Sequence, residues 1–229
     1  MQYLAIKDAI EEQIESGMLK AGHKLPSERV LAEAFSTTRI TLREALNHLA
    51  LSGKIYREER RGWFISAARF CFNPKFDTDL SIILQAQKWL FSTRCLDEKR
   101  LLAPKEIADK LQLEPFSYVR QYTKLWLIEG RSAAIQYQYV AESEFSFIEK
   151  MDREENLVEY LQEHYLYKAN RNRVEVGIAP ATGFESSALH ISSGSILLSV
   201  TQTAINNKES AYLLQELRIC HDMVAVEID

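Results

Sequence analysis

Residues 25–46 read LPSERVLAEAFSTTRITLREAL, and two helix starts follow each other within them. Ser27, behind Pro26, suits an N-cap, and Glu28 puts a negative charge in the first turn, where the helix dipole favours it. Leu31, Ala32 and Phe35 then share one face at helical spacing. The hydroxyls of Ser36, Thr37 and Thr38 interrupt that helix and offer caps for the next. The second helix has Ile40 near its start and Ala45, Leu46 and Leu49 as buried positions. Thr38, Arg39, Thr41 and Arg43 are left to project from its N-terminal half. This is the pattern of a helix-turn-helix. On the pattern alone, a solvated helix pair in an all-α domain fits as well. The side chains suit DNA: Arg bridges O6 and N7 of guanine, and Thr bonds phosphate or touches a thymine methyl.

The residues that follow decide between the two. Ser52 and Gly53 end the long helix, and residues 55–57 read as a short strand. EERRG at 58–62 is a charged turn, and residues 63–65 read as the returning strand. A helix-turn-helix followed by a hairpin tipped with Arg60 and Arg61 is a winged helix. Gly62 allows close approach of backbone to a groove.

LPSER, then TTRITLREAL, then RRGWFI resemble the N-terminal domain of GntR-type bacterial transcription regulators. The length of 229 residues, with strands and helices mixed in the C-terminal half, is similar to the HutC subfamily and its UTRA effector domain. Within that subfamily the first 66 or so residues most resemble regulators of phosphonate utilisation. The resemblance implies an α+β protein in three parts: a winged helix-turn-helix over 1–66, an interdomain connection over 67–78 and a UTRA domain over 79–229. It implies double-stranded operator DNA and a small-molecule effector as partners, a homodimer on a near-palindromic site, and repression as the sign of control. It places Arg29 among the DNA-contacting residues, beside Thr38, Arg39, Thr41, Arg43, Arg61 and Gly62. The alternative for Arg29 is a surface pair with Glu33 one turn on.

Composition agrees with such a protein. At 46% hydrophobic and 26% charged residues the chain has apolar material for two cores. The net charge of −4 is unevenly spread. Residues 1–66 hold ten Lys and Arg against nine Asp and Glu, a net of +1; the remainder holds eighteen against twenty-three, a net of −5. The positive charge of the first domain must therefore gather on one face if it is to serve DNA. No stretch approaches the ~18 apolar residues of a membrane helix, and the first helix, rich in Glu, is unlike a targeting peptide. Cys71, Cys95 and Cys220 are odd in number and widely spaced, which predicts neither a zinc site nor a disulfide framework, and a cytoplasmic location. No cofactor is expected.

Residues 3–16 predict an amphipathic helix with Leu4, Ile6, Ile10 and Ile14 on its apolar side, closed by Gly17. Residues 66–78, SAARFCFNPKFDT, carry no clean period, and their Phe70, Phe72 and Phe76 call for burial on one domain or the other. The second domain predicts a helix at 79–91, capped by Thr78 or Asp79, a strand at 92–102 and a short helix with Pro104 at N1. A hairpin follows, 118–128 and 132–140 about Glu129 and Gly130. Then come a helix at 156–165, a strand at 171–179, a helix at 182–189, a second hairpin, 195–205 and 210–219 about Asn206 and Asn207, and a last strand at 224–228.

The UTRA fold is similar to that of chorismate lyase, so a lyase-type enzyme is one alternative. The chain has no nucleophile elbow, phosphate loop or HExxH, and adjacent residues such as His221 and Asp222 point apart on a strand. The expectation is that it is not an enzyme. The UTRA motif implies paired arginines before the hairpin turn and a carboxylate after it. Aligned on Gly130, those positions hold Lys124, Trp126 and Gln136. Lys124 and Trp126 share a face with Arg120 and Tyr122. Arginine forks have become a point charge and an aromatic plate, which leaves open a degenerate pocket and a regulator answering to a protein partner. Helix starts near Thr78 and Ser81, and near Thr182, offer N–H groups to an anion, or are ordinary caps. The resemblance of the N-terminal domain to phosphonate regulators, with Lys124 beside these helix starts, implies a phosphorylated or phosphonate effector.

Overall fold

The computed structural model describes residues 2–74, 79–145, 148, 151–153, 155–165, 171–206 and 208–227. Helix α1 (Gln2–Glu15) lies against α3 (Arg39–Leu51), with α2 (Glu28–Ala34) completing the three-helix unit. Ile6 and Ile10 enter a core with Leu31, Leu42, Ala45, Leu46, Leu49 and Trp63. Leu4 does not: it is 41% exposed. Two residues along a helix turn the chain by about 200°, so Leu4 and Ile6 lie on opposite sides. Tyr3 takes the inner position and stacks on His48, ring centroids 5.1 Å apart.

Both predicted caps form. Ser27 accepts from the Val30 N–H at 3.4 Å, and Thr38 from the Thr41 N–H at 3.2 Å. The inner stripe of α3 also includes Leu42, fully buried and one turn before Leu46. The wing consists of β1 (Ile55–Glu58) and β2 (Gly62–Ile65), paired antiparallel with Glu58 opposite Gly62. The chain entering α2 runs along β2, where the Leu25 N–H donates to the Trp63 carbonyl at 2.8 Å. Gly62 has φ +106°, and a β-carbon there would lie 3.3 Å from Lys24 Cε, so the wing turn favours glycine on both counts.

The C-terminal half is built on a six-stranded antiparallel sheet. Its order is β4 (Phe91–Leu102), β5 (Tyr118–Ile128), β6 (Arg131–Ala141), β9 (Ala211–Cys220), β8 (Ile196–Ile205) and β7 (Arg171–Pro180). Both predicted hairpins are present; Asn207, in the second turn, lies outside the described residues. Helices α4 (Leu80–Ala86), α5 (Lys105–Leu111), α6 (Leu157–Tyr165) and α7 (Gly183–Leu189) complete this α+β unit.

Three local expectations change. The helix expected over 79–91 ends at Ala86; Lys88 takes φ +62°, and Phe91 opens β4 opposite Ile128. Pro104 is the residue before α5 rather than its first helical position. Residues 70–72 form a strand, β3 (Phe70–Phe72), parallel to β10 (Val224–Val226). Phe70 and Phe72 are fully buried in the core that contains Leu80, Leu84 and Val224. Part of the expected connection is thus clamped to the C-terminal unit, by pairing with β10 and by its buried aromatics; Phe76 lies outside the described residues.

Candidate DNA-binding face and effector pocket

One groove runs between the start of α2, the start of α3 and the wing. Lys24, Arg29, Arg39, Arg57, Arg60 and Arg61 line it, against only Glu28 and Glu58. A domain with a net charge of +1 has therefore gathered its cations on one side, which is how weak overall basicity still makes a field for phosphates. Arg39 is exposed at the first position of α3, and no ion pair holds it among the described residues. Ile40 beside it is 82% exposed, an apolar side chain presented outward next to the arginine. Thr38 and Thr41 join hydroxyls at 3.0 Å.

Three other arginines of the domain, Arg29, Arg61 and Arg43, are engaged within it. Arg29 pairs with Glu33 at 2.8 Å, both largely exposed, a contact that water and a phosphate easily replace. Arg61 pairs with Glu58 and lies over the Phe64 ring at 5.3 Å. Arg43 is not simply outward: it donates to Glu28 at 2.7 Å, and the other oxygen of Glu28 accepts from the Trp63 indole N–H at 3.1 Å. Glu28 thus ties α2 to α3 and to the wing. The Arg43 hydrogen bond, and then that of Trp63, holds its carboxyl below the ordinary carboxylate range. In the sequence Glu28 is legible only as a charge favoured by the helix dipole, because its long-range partners carry no local signature.

In the C-terminal unit, Ser81, Lys124, Trp126 and Gln136 line one cavity of about 130 Å³ together with Asp79, Phe91, Thr93, Gln138, Asn156, Val158 and Gln215. Thr78 lies outside the described residues. Lys124 and Gln136 face each other across the β5–β6 register. Arg120 and Tyr122, on the same strand face, go elsewhere: Arg120 pairs with Glu98 at 3.0 Å, and the Tyr122 hydroxyl reaches the Ile148 carbonyl at 3.4 Å. Lys124 is buried and donates to the Glu155 carbonyl.

Neither helix start is open to an anion. The Ser81 N–H and hydroxyl donate to the Asp79 carboxylate at 2.8 and 2.5 Å. Thr182 and Glu185 close a capping box at α7. These are caps, and Asp79 adds a negative charge to the cavity wall. Of the residues the sequence reading missed, Gln138 was within reach, since it stands two along from Gln136 on one strand. Gln215 was not, because it arrives from β9.

The two units meet at the wing. Arg131, the first residue of β6, makes two hydrogen bonds to the buried Asp222 at 2.5 and 3.1 Å. Its guanidinium lies 3.5 Å from the centre of the Tyr56 ring on β1. The Glu59 N–H in the wing turn donates to the His190 carbonyl at 2.9 Å. Thus the hairpin whose strands carry Lys124, Trp126 and Gln136 also touches the DNA-binding unit. Asp222 serves Arg131, while His221 Nδ1 sits 3.3 Å from the Ile196 carbonyl, so the adjacent pair does not act as one. Burial pushes the Cys220 thiol up to about 12, which leaves it inert as a nucleophile.

A winged helix with its cations on one groove, joined to a sheet domain that encloses a small polar cavity, defines a ligand-responsive DNA-binding protein. Comparison with known proteins agrees. The family model for bacterial regulatory proteins of the gntR family matches residues 2–65, and that of the UTRA domain matches residues 87–225. The chain belongs to the GntR-type transcription regulators that carry a UTRA domain. It is similar to the uncharacterized HTH-type transcriptional regulator YihL of Escherichia coli (strain K12), 28% identical over 151 residues; the match spans 64% of this chain and 63% of that relative's length. The HTH-type transcriptional repressor NagR of Bacillus subtilis (strain 168) is 23% identical over 210 residues, 92% of this chain and 86% of NagR. The crystal structure of PhnF from Mycobacterium smegmatis shares the fold, with a TM-score of 0.67 at 15% identity over 98% of each chain. The family model and these relatives are named as regulators of transcription. No helix among the described residues is long and apolar enough to cross a membrane.

Proposed function

We propose that the chain is a repressor that binds a near-palindromic operator as a homodimer and changes its affinity when a small molecule enters the cavity around Lys124, Trp126 and Gln136. Residues 1–66 hold the operator, residues 79–229 hold the effector, and residues 67–78 connect them. Arg39 reads a guanine edge, Ile40 lies against a thymine methyl, and Thr38 and Thr41 meet the backbone. Arg29, Arg43 and Arg61 neutralise phosphates, with Gly62 letting the wing approach. The observation that carries this reading is the gathering of six cations on one groove of a domain with almost no net charge. NagR, named a repressor, supports the sign of control. Two-fold protein symmetry matches two-fold DNA.

Arg61 tests the wing. Arg61→Ala weakens specific and random DNA alike and flattens the salt dependence by roughly one phosphate contact. Titrating both probes across salt concentrations checks this; a loss confined to one base pair means that Arg61 reads sequence.

The cavity is coupled to the wing through the contact of Arg131 with Tyr56, which the effector changes by shifting the hairpin that carries Arg131 and the cavity residues Lys124, Trp126 and Gln136. A coupling of about 1–3 kcal/mol in operator affinity is expected. Lys124→Ala abolishes the response to the effector and leaves operator binding by the unliganded protein intact. Normal response in Lys124→Ala puts the effector site elsewhere. A second reading, a phosphorylated or phosphonate effector, is favoured by one observation, the buried ammonium of Lys124 in the cavity wall.

A further inference from the structure

The cavity wall carries a chain of side-chain amides whose direction is fixed by one donor. The Trp126 indole nitrogen only donates, and it donates to Gln136 Oε1 at 3.0 Å. Gln136 must then turn its Nε2 the other way, where it donates to Gln215 Oε1 at 2.8 Å. The same Gln215 oxygen stands 2.8 Å from Gln138, which must therefore also present Nε2. That leaves Gln138 Oε1 as an acceptor with no hydrogen bond, on a side chain 3% exposed. Exchanging oxygen and nitrogen at Gln138 would set its oxygen against the Gln215 oxygen at 2.8 Å, two acceptors with no proton between them, so the unpaired atom is an oxygen.

From this direction we infer that the effector is a small, neutral, polyhydroxylated compound, one hydroxyl of which donates to Gln138 Oε1. The inference rests on the reading of this cavity as the effector site. The ionised group of a phosphate or phosphonate brings acceptors only and cannot itself pair that oxygen. It also meets Asp79, whose carboxylate already takes the Ser81 donors at the helix start. Among the described residues of the lining the charged side chains are Lys124 and Asp79, of opposite sign, and four amides, Gln136, Gln138, Asn156 and Gln215, supply groups that both donate and accept. Such a set suits hydroxyls, which do the same. Trp126 and Phe91, ring centroids 5.7 Å apart, give the C–H face of the ligand an apolar wall. Gln138 is then the specificity-determining residue, separating a ligand with the matching hydroxyl from one without it.

The test titrates the full-length protein, by calorimetry and thermal shift, with unphosphorylated hexoses and inositols, the corresponding hexose phosphates and methylphosphonate. An unphosphorylated member should bind roughly tenfold or more tighter than its phosphate ester. Removing one of its hydroxyls should cost roughly tenfold or more on the unaltered protein. Gln138→Leu should bind the parent and that deoxy analogue alike; the deoxy series on the unaltered protein decides the matter if Gln138→Leu does not fold. Tighter binding of hexose phosphates or methylphosphonate, binding of no polyol, or a hydroxyl preference retained in folded Gln138→Leu overturns the ligand class. Thr93→Trp, which fills the cavity, separates the two levels: binding that survives it removes the cavity as the effector site, whereas binding lost in it together with a preference for phosphorylated compounds overturns the ligand class alone.

Discussion

Asp222→Ala should destabilise the C-terminal unit by about 3–5 kcal/mol, the largest loss expected from one substitution in this chain. Asp222 is 4% exposed and accepts two hydrogen bonds from Arg131, itself mostly buried. Removing the carboxylate leaves a guanidinium that cannot deprotonate beneath the Tyr56 ring, with no other ion-pair partner among the described residues. The pair itself contributes less than this figure, because desolvation opposes its attraction. Accordingly, Arg131→Met with Asp222→Leu should recover much of the loss. Thermal unfolding checks both: a fall in Tm of about 6–20 °C for the single change and a smaller one for the double. A single change within about 2 °C of the parent would mean that Arg131 swings to water. The double substitution should also uncouple the wing from the hairpin, so operator affinity no longer responds to the effector.

Arg39→Ala should cost about 1–3 kcal/mol of specific operator binding, a loss of roughly 5- to 150-fold. The side chain is exposed and free of ion pairs among the described residues, so thermal stability should be unchanged. Binding to random DNA should fall far less, because a base-reading contact contributes little there. Arg43→Ala separates from it. Arg43 holds Glu28, and its loss loosens α2, α3 and the wing together, which shows as a lower Tm as well as weaker binding. Fluorescence anisotropy with specific and random duplexes measures both variants. Equal losses on both duplexes for Arg39→Ala would make it a phosphate contact.

The N-terminal unit was legible in the sequence because its signals are local. Ser27 and Thr38 cap the helices they precede, and Gly62 sits where the turn needs it. Leu4 misled because hydrophobicity without the 100° rotation does not define a face. In the C-terminal unit the hairpins were legible from alternation and turn residues, and Lys124, Trp126, Ser81 and Gln136 do meet at one cavity. The chemistry of that cavity was not legible. Gln215 comes from another hairpin, and although Asp79 was legible as a cap, that its carboxylate stands in the wall of this cavity is set by the packing of α4 on the sheet. The strand at residues 70–72 escaped notice because its partner, Val224–Val226, lies some 150 residues away. Arg131 and Asp222 are likewise 91 residues apart.

Selection of duplexes from a random pool by the full-length protein tests the central claim most directly. A cation-lined groove led by Arg39, on a two-fold dimer, predicts enrichment of one near-palindromic site with a guanine in each half-site, and Arg39→Ala should relax that guanine while keeping the spacing. Enrichment of no sequence, or of a site that Arg39→Ala selects unchanged, would contradict the assignment of this face to operator recognition.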